Sequence, residues 1–311
     1  MYTEWHEKLE VGDSLVQLLG EMAAMGTAIC WSFSSVLFAV ASKRVGPLVI
    51  NLLRLPLAIF LLMATYTILQ GKFAIAFHSA MYLALSGVIG LAIGDTFLFN
   101  SMVMVGARLS MLLLSLSPPI TALLAYIFLG EVLNWLDILG ILITLIGVIW
   151  VVLERPEKNP VIQKQLMWKG VVLGFLSALA QAVGLLWAKM GLGPNVDPLY
   201  GTLIRMSSAA LILWPMSFLL KRIKNPVKLI QADTTALKYL LAGVIMGPFL
   251  GVWLSLVAVK YTNTGIAATI MSIVPVTMIP LSIKFEKETP SLRSIAGAVI
   301  AIIGIAILFL S

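Results

Sequence analysis

Three ionisable side chains lie well inside long apolar runs of the sequence: Arg54, Asp95 and Arg205. A charged side chain at the centre of a membrane-inserted helix costs roughly 2.5–3.5 kcal/mol, so each of the three should face protein or water. Burial without a cation favours protonation of a carboxyl group, whereas a neighbouring arginine keeps it ionised. Asp95 could therefore carry a proton, or it could form a structural bond with an arginine or with the backbone. Each arginine could attract an anion, or act as a gate, at the mouth of a path through the membrane. The alternative is that its side chain reaches lipid headgroups or pairs with a backbone carbonyl.

Two prolines, Pro118 and Pro275, interrupt apolar runs at corresponding places in the two halves of the chain. A proline inside a helix removes one backbone hydrogen bond and kinks the helix. Paired interruptions in the two halves of a membrane protein point to a substrate site between them, although a simple kink is the alternative.

Polar and aromatic side chains at helical spacing complete the candidate set. Such faces suit the wall of a wet cavity, although Ser and Thr side chains also hold membrane helices together. The predicted substrate-binding residues are Trp31, Ser34, Asp95, Asn100, Ser117, Pro118, Gln181, Ser272 and Pro275, with Arg54 and Arg205 as gating or anion-attracting residues.

Motifs of enzymatic chemistry are not found in the sequence. The two histidines, His6 and His78, fall outside the apolar runs, and Cys30 is the single cysteine, so no His-based triad or cysteine-based metal site is predicted. No GxxxxGK[ST] nucleotide loop occurs. The sequence therefore predicts a protein that is not an enzyme and has no cofactor and no metal centre.

Composition identifies the elements that must position these residues. Sixty per cent of the residues are hydrophobic, 11% are charged and the mean hydropathy is +1.02. Apolar runs of about 20 residues, enough to cross a bilayer, recur along the chain, and only helices satisfy every backbone group in lipid without a closed barrel. We therefore predict an all-α membrane protein with ten transmembrane helices, at 22–42, 47–69, 80–104, 108–129, 135–153, 170–189, 198–220, 237–260, 264–284 and 291–310.

An internal duplication relates the two halves. The stretch from Gly90 to Glu131 recurs, shifted by 157 positions, from Gly247 to Glu288. The matching positions are Gly90 with Gly247, Gly94 with Gly251, Ser115 with Ser272, Pro118 with Pro275, Glu131 with Glu288, Gly140 with Gly297 and Gly147 with Gly304. Five helices per half, an odd number, turn the second half upside down, so we predict inverted repeats, an arrangement typical of transporters. The predicted organisation is a tail at 1–21, a first repeat at 22–153, a linker at 154–169 and a second repeat at 170–310.

Small residues define a packing face on helices five and ten. Gly140, Thr144 and Gly147 fall on one face of helix five, and their repeat mates lie on helix ten. Small side chains let helix backbones approach closely in lipid, so we predict that these two helices pack and do not form the site.

The net charge of +7 is distributed between the apolar runs. Such a distribution marks the cytoplasmic face of a membrane protein and does not indicate a nucleic-acid partner. Most loop Lys and Arg residues lie on the side opposite the N-terminus, which predicts that both termini are outside the cytoplasm.

The whole pattern resembles the drug/metabolite transporter superfamily, in its EamA-type ten-helix branch. The resemblance rests on the stretch from Gly94 to Glu131, on Lys43 and Lys189 at the ends of helices one and six, and on Arg54 and Arg205. It implies a multi-pass permease of the cytoplasmic (inner) membrane, often an exporter, with a cavity lined by helices one, three, four, six, eight and nine. It also implies termini in the cytoplasm, against the charge distribution.

The predicted function is secondary transport, with export as the expected direction. The solute would be a small metabolite, such as an amino acid or a related amphiphilic compound, moved by alternating access either with or without coupling to protons. The mid-helix-one Glu of the small multidrug resistance relatives does not occur here, so proton-coupled export of cationic drugs by their mechanism is not predicted. The partners would be the solute and the lipid bilayer, with either a monomer or a homodimer. The alternative is a non-transporting receptor or assembly protein that keeps the fold; a dry core would favour it, and a polar cavity would favour transport.

Overall fold

The computed structural model of the chain is built from helices. It describes residues 2–69, 74–129, 133–153, 162–193, 196–219, 225–262, 267, 270–287 and 290–310. These residues form helices and connecting turns, with no β-strand among them. Glu131 and Glu288, which the duplication pairs, lie outside the described residues.

The helices follow the two halves of the sequence, and π1 and π2 denote π-helical segments. The first half contains α1 (Tyr2–Val45), α2 (Pro47–Ile68), α3 (Phe77–Ser86), π1 (Gly87–Gly94), α4 (Asp95–Val105), α5 (Ala107–Leu114), α6 (Ser117–Leu129) and α7 (Trp135–Leu153). The second half contains α8 (Ile162–Gly191), α9 (Pro198–Leu219), α10 (Pro226–Gln231), α11 (Thr234–Val244), π2 (Ile245–Gly251), α12 (Val252–Tyr261), α13 (Val274–Glu286) and α14 (Leu292–Leu310).

Eight helical segments of the described chain are long and apolar enough to cross a membrane. They are Gln17–Val45, Pro47–Ile68, Phe77–Val105, Ala107–Leu124, Trp135–Leu153, Gln165–Gly191, Pro198–Leu219 and Thr234–Tyr261. Two further apolar helices, Val274–Phe285 and Leu292–Leu308, are shorter, so the count of ten spans stays a prediction.

The distribution of side chains is that of a protein surrounded by lipid. Phe60 and Leu211 are 71% and 73% exposed, whereas the ionisable Arg54 and Asp95 are buried. Large exposed apolar surfaces of this kind need an apolar environment to be stable.

Helix α1 differs from the predicted first helix. It begins at Tyr2 and runs without a break to Val45, so residues 2–21, predicted as a tail, are helical and continuous with the span. Gly20 lies against Tyr261 and Thr262 at the end of α12, where a Cβ atom on it would lie within 2.8 Å of their atoms.

The third and eighth predicted helices each contain a π-helical segment that the sequence did not predict. The segments Gly87–Gly94 and Ile245–Gly251 occupy repeat-matched places. At the end of each, a backbone N–H donates five residues back, from Asp95 to Gly90 O and from Val252 to Gly247 O. A π segment widens the helix locally and is frequently found at functional sites.

The predicted interruptions at the prolines are also present in the backbone. A turn at Ser115 and Leu116 separates α5 from α6, directly before Ser117 and Pro118. In the second half, a turn at 272–273 precedes α13. Helices four and nine are therefore broken at corresponding places.

Helices α7 and α14 pack backbone against backbone, as predicted for helices five and ten. A Cβ atom on Gly140 would lie 2.7 Å from Gly304 O, and one on Gly147 would lie 2.6 Å from Gly297 O. As the residue number rises from 140 to 147 along α7, that of the contacted glycine falls from 304 to 297 along α14, so the two helices are antiparallel. We call these four glycines the glycine seam.

The remaining helices pair across the halves. Helix α8 packs against α3, π1 and α4, whereas α1 packs against α11, π2 and α12. Helix α2 packs against α9, where the indole N–H of Trp214 donates to Leu52 O at 2.9 Å. The first helix of each half therefore covers the third helix of the other.

Candidate functional site

A central cavity of about 190 Å³ lies between the two halves. Its lining residues come from both halves. They lie on α1, α2, π1, α4, α5 and α6 of the first half, on α8, α9, π2, α12 and α13 of the second, and at the breaks before α6 and α13. Helices α7 and α14 contribute none of the described lining residues. The cavity therefore belongs to both repeats, and the helices of the glycine seam stand outside it.

Asp95, the first residue of α4, forms hydrogen bonds with both halves of the chain. Its Oδ2 accepts from Nη2 of Arg54 on α2, in a buried ion pair, and its Oδ1 accepts from Nε2 of Gln181 on α8 at 2.7 Å. Both carboxylate oxygens thus have strong donors. Of the alternatives open at the sequence level, the structure shows the pairing with Arg54.

Arg54 is held by a second set of contacts. Its Nε donates to Oδ1 of Asn51 at 2.9 Å, its Nη2 donates to Leu91 O at 3.2 Å, and its guanidinium lies 5.0 Å from the ring centroid of Phe99. Asn51 in turn donates to Thr96 Oγ1 at 2.8 Å. A buried arginine with this many partners is positioned, and it does not reach towards lipid headgroups.

Glycines of the π segments let the first helix of each half approach the cavity. A Cβ atom on Gly90 would lie 3.2 Å from Gln181 Oε1, and one on Gly247 would lie 2.9 Å from Ser34 Cβ. Gly90 O also accepts from Gln181 Nε2 at 3.2 Å. The duplicated glycines therefore place Ser34 and Gln181 at the cavity wall.

Arg205 on α9 lines the same cavity and differs from Arg54. It is 5% exposed, and its Nε has no hydrogen-bond partner. A Cβ atom on Gly90 would lie 3.7 Å from Arg205 Nη2, so the guanidinium stands beside the Asp95 and Gln181 pair.

The chain matches the model of the EamA-like transporter family twice, at residues 18–153 and 168–310. It belongs to the EamA-like transporter family. The resemblance seen in the sequence is thereby confirmed, and with it a multi-pass membrane protein of a transporter family. A family of transporters fits a protein that is not an enzyme.

The EamA-like fold also has a counterpart of known structure. A solved structure titled "Crystal structure of protein" has a TM-score of 0.64 and 18% sequence identity, over 96% of this chain and 97% of that one. At this identity the likeness shows the fold alone. A search of curated proteins gave no match.

Most of the predicted site residues meet in the cavity of this EamA-like chain. The predicted residues that line it are Trp31, Ser34, Arg54, Asp95, Ser117, Pro118, Gln181, Arg205, Ser272 and Pro275. Asn100 is not among the lining residues, and its amide donates to Thr96 O of its own helix at 2.7 Å. It lies one helical turn after Thr96 and hydrogen-bonds to the backbone of α4.

The cavity wall differs from the expectation in two respects. Helices two and seven line the cavity through Arg54 and Arg205, although the resemblance implied a cavity without these helices. Asn51 and Thr96, which support Arg54, were not among the predicted residues. The signal that could have found Asn51 is its place one helical turn before Arg54 in an apolar run.

Proposed function

We propose that this EamA-like protein is a secondary transporter that moves a small amphiphilic metabolite across the cytoplasmic membrane by alternating access. Amino acids and related solutes are the starting candidates, and export is the proposed direction. The observation that carries the proposal is the cavity lined by both repeats, with Arg54, Asp95, Gln181 and Arg205 in its wall. A dry core would instead have favoured a non-transporting receptor or assembly protein.

The proposed mechanism needs ten spans in two inverted repeats. The antiparallel contacts of the glycine seam support this arrangement. The repeat mate of Gly140 is Gly297, and that of Gly147 is Gly304. Replacing each glycine by its mate turns the contact Gly140–Gly304 into the contact Gly297–Gly147, which is also observed. A two-fold axis in the membrane plane has this effect, and it would let one site open alternately to each side.

Four local interruptions support movement around the cavity. The π segments and the breaks before Pro118 and Pro275 fall at repeat-matched places and contribute lining residues. Discontinuous helices around a central site are a recurrent feature of secondary transporters.

The test is solute flux in liposomes that contain the purified protein. Vesicles loaded with a mixture of metabolites should release a defined subset at a rate above protein-free vesicles. Ser117→Trp, which fills the cavity, should lower that rate at least tenfold, whereas Leu142→Trp on the exposed face of α7 should leave it unchanged. Equal flux in Ser117→Trp and wild type, or no flux above background for any metabolite, would contradict the proposal.

A further inference from the structure

We infer that Arg205 binds the anionic group of the substrate, and that the substrate is a carboxylate with an apolar or aromatic body. This inference rests on the proposed transport function, because it names the chemical class of the solute in the central cavity. It separates carboxylate anions from the zwitterionic, neutral and cationic members of the candidate metabolites.

The charges of the cavity wall are unbalanced. Three of its described lining residues ionise: Arg54, Asp95 and Arg205. Arg54 and Asp95 form an ion pair, and Gln181 takes the second carboxylate oxygen, so one positive charge remains at Arg205. Asp95 lies within Coulombic range of Arg205, but its hydrogen-bonding oxygens are engaged by Arg54 and Gln181.

The two arginines have different surroundings although both are buried. Arg54 makes hydrogen bonds to Asn51, Leu91 O and Asp95. Arg205 Nε makes none, and the side chain is 95% shielded from solvent. A buried polar group without a partner costs free energy, and a charged one costs more, so this guanidinium favours a partner that enters the cavity.

The backbone of Arg205 is fixed. Its carbonyl oxygen accepts from Ser208 Oγ at 2.9 Å, and the same hydroxyl lies 2.9 Å from Ala84 O on α3. Gly87 has no side chain to separate the helices: a Cβ atom there would lie 2.1 Å from Arg205 O. The guanidinium is therefore presented by closely packed helices, and its planar set of donors matches the two oxygens of a carboxylate.

The rest of the wall suits an apolar body. Trp31, Phe38 and Phe99 line the cavity together with Met102 and Met271. No described lining residue offers an unengaged carboxylate for a substrate ammonium group. A single uncompensated arginine also matches a monoanion better than a phosphate dianion.

The inference is tested by binding to the purified full-length protein in detergent. Four probes share a phenyl body and differ in charge: 3-phenylpropionate, phenylalanine, 3-phenylpropanamide and 3-phenylpropylamine. Thermal stabilisation and titration should show that 3-phenylpropionate binds at least tenfold more tightly than the amide or the amine, with phenylalanine between them. Arg205→Gln should remove this preference, and Arg205→Lys, which keeps the charge without the planar donors, should keep part of it.

Two comparisons protect the test against misfolding. Arg44→Gln removes a positive charge outside the cavity and should bind 3-phenylpropionate like the wild type. Without probe, Arg205→Gln should melt close to the wild type, because it breaks no hydrogen bond of the buried Nε atom and leaves the hydrogen bonds of Asp95 to Arg54 and Gln181 in place. The comparison of the four probes on the wild-type protein uses no variant, so misfolding of a variant cannot affect it.

The inference is overturned by equal binding of the amide or the amine, or by tight binding of 3-phenylpropionate that survives in Arg205→Gln. Failure of both 3-phenylpropionate and phenyl phosphate to bind also overturns it, and tighter binding of phenyl phosphate overturns the choice of carboxylate. Binding in detergent does not require flux. Anion binding without flux would therefore contradict transport alone, and flux insensitive to solute charge would contradict this inference alone.

Discussion

The Oδ1 atom of Asp95 lies 2.7 Å from Nε2 of Gln181, and this hydrogen bond joins α4 in the first half to α8 in the second. The other carboxylate oxygen belongs to the buried ion pair with Arg54 on α2. One carboxylate therefore connects three helices at the cavity wall. A change in its charge should affect both the stability of the fold and the surface that a solute meets.

Removing one partner of the Arg54–Asp95 pair should destabilise the protein strongly. The loss of one partner of a buried ion pair costs about 3–5 kcal/mol, because the other charge stays buried without compensation. We expect Asp95→Asn and Arg54→Gln each to lower the melting temperature in detergent, and the double variant to lose less than the sum of the two. Strictly additive losses would show that the two side chains do not interact.

Asp95→Asn also separates a scaffold from a proton carrier. If the carboxylate only holds Arg54 and Gln181, the variant should melt earlier, and any remaining flux should keep the pH response of the wild type. Proton coupling through Asp95 would instead leave solute exchange intact and abolish the response to an imposed pH gradient. Flux measured with and without that gradient decides between the two.

The breaks in helices four and nine should matter for transport more than for folding. Pro118→Ala and Pro275→Ala each restore a backbone donor and should stiffen a helix that lines the cavity. We expect flux to fall several-fold while melting stays near that of the wild type. Pro47→Ala is the matched control, because Pro47 also lies in the first turn of its helix but follows the connection between α1 and α2 and does not line the cavity. Unchanged flux in both cavity variants would make these prolines incidental kinks.

The course of the helices was predictable where an apolar run has sharp polar boundaries. Helix α7 spans the predicted 135–153, and α9 follows the predicted 198–220 from Pro198 to Leu219, the last residue described there. The π segments were not predictable, because Gly-rich apolar stretches have the same composition in α- and π-helices. The start of α1 at Tyr2 was missed because its first twenty residues lack the apolar run that marked the other helices.

Most of the predicted residues line the cavity, but the pairing among them was not predictable. Charge inside an apolar run identified Arg54, Asp95 and Arg205, and the repeat identified the prolines. Which arginine pairs with Asp95 depends on how α2 and α9 pack around π1, and a linear sequence does not give that geometry. The orientation of Asn100 on α4, where its amide donates to its own helix backbone, is not given by a linear sequence either.

The glycine seam should tolerate no side chain. A Cβ atom on Gly147 would lie 2.4 Å from the backbone nitrogen of Ala301, and backbone cannot move aside as a side chain can. We expect Gly147→Ala to lower stability by about 1–3 kcal/mol, the usual cost of overpacking. Gly193→Ala is the control, because no atom lies within 4 Å of its added Cβ. Equal melting of the two variants would contradict the close packing of α7 on α14.

Asp233 should make part of the stability depend on pH. It caps α11 and bonds to Arg44, and the backbone N–H of Ala236, followed by Arg44, lowers the pKa of its carboxyl from the ordinary value of 3.8. A lowered pKa in the folded state gives stabilisation that is present above the ordinary value and is lost as the pH falls through the folded one.

Comparison of the wild type with Asp233→Asn measures this contribution. Asparagine keeps the cap and removes the charge, so the variant should melt below the wild type at pH 7 and approach it as the pH falls below about 4. Asn225, which caps α10 through Lys228 N, provides a cap that does not titrate. The loss in Asn225→Ala should stay constant over the same range. A pH-independent gap for Asp233→Asn would contradict the assignment.

The hydroxyl of Thr144 lies 3.4 Å from the carbonyl oxygen of Ala301, its own repeat mate. A residue that touches its mate lies close to the line about which the two halves are related. When one rigid body rotates against another, displacement grows with distance from the pivot. Any rocking of the halves about this line would therefore leave the seam almost still, and the same small angle would carry the residues around the cavity farthest. The contact between the backbones of α7 and α14 would then be the pivot of the movement, and the cavity would lie at a distance from it.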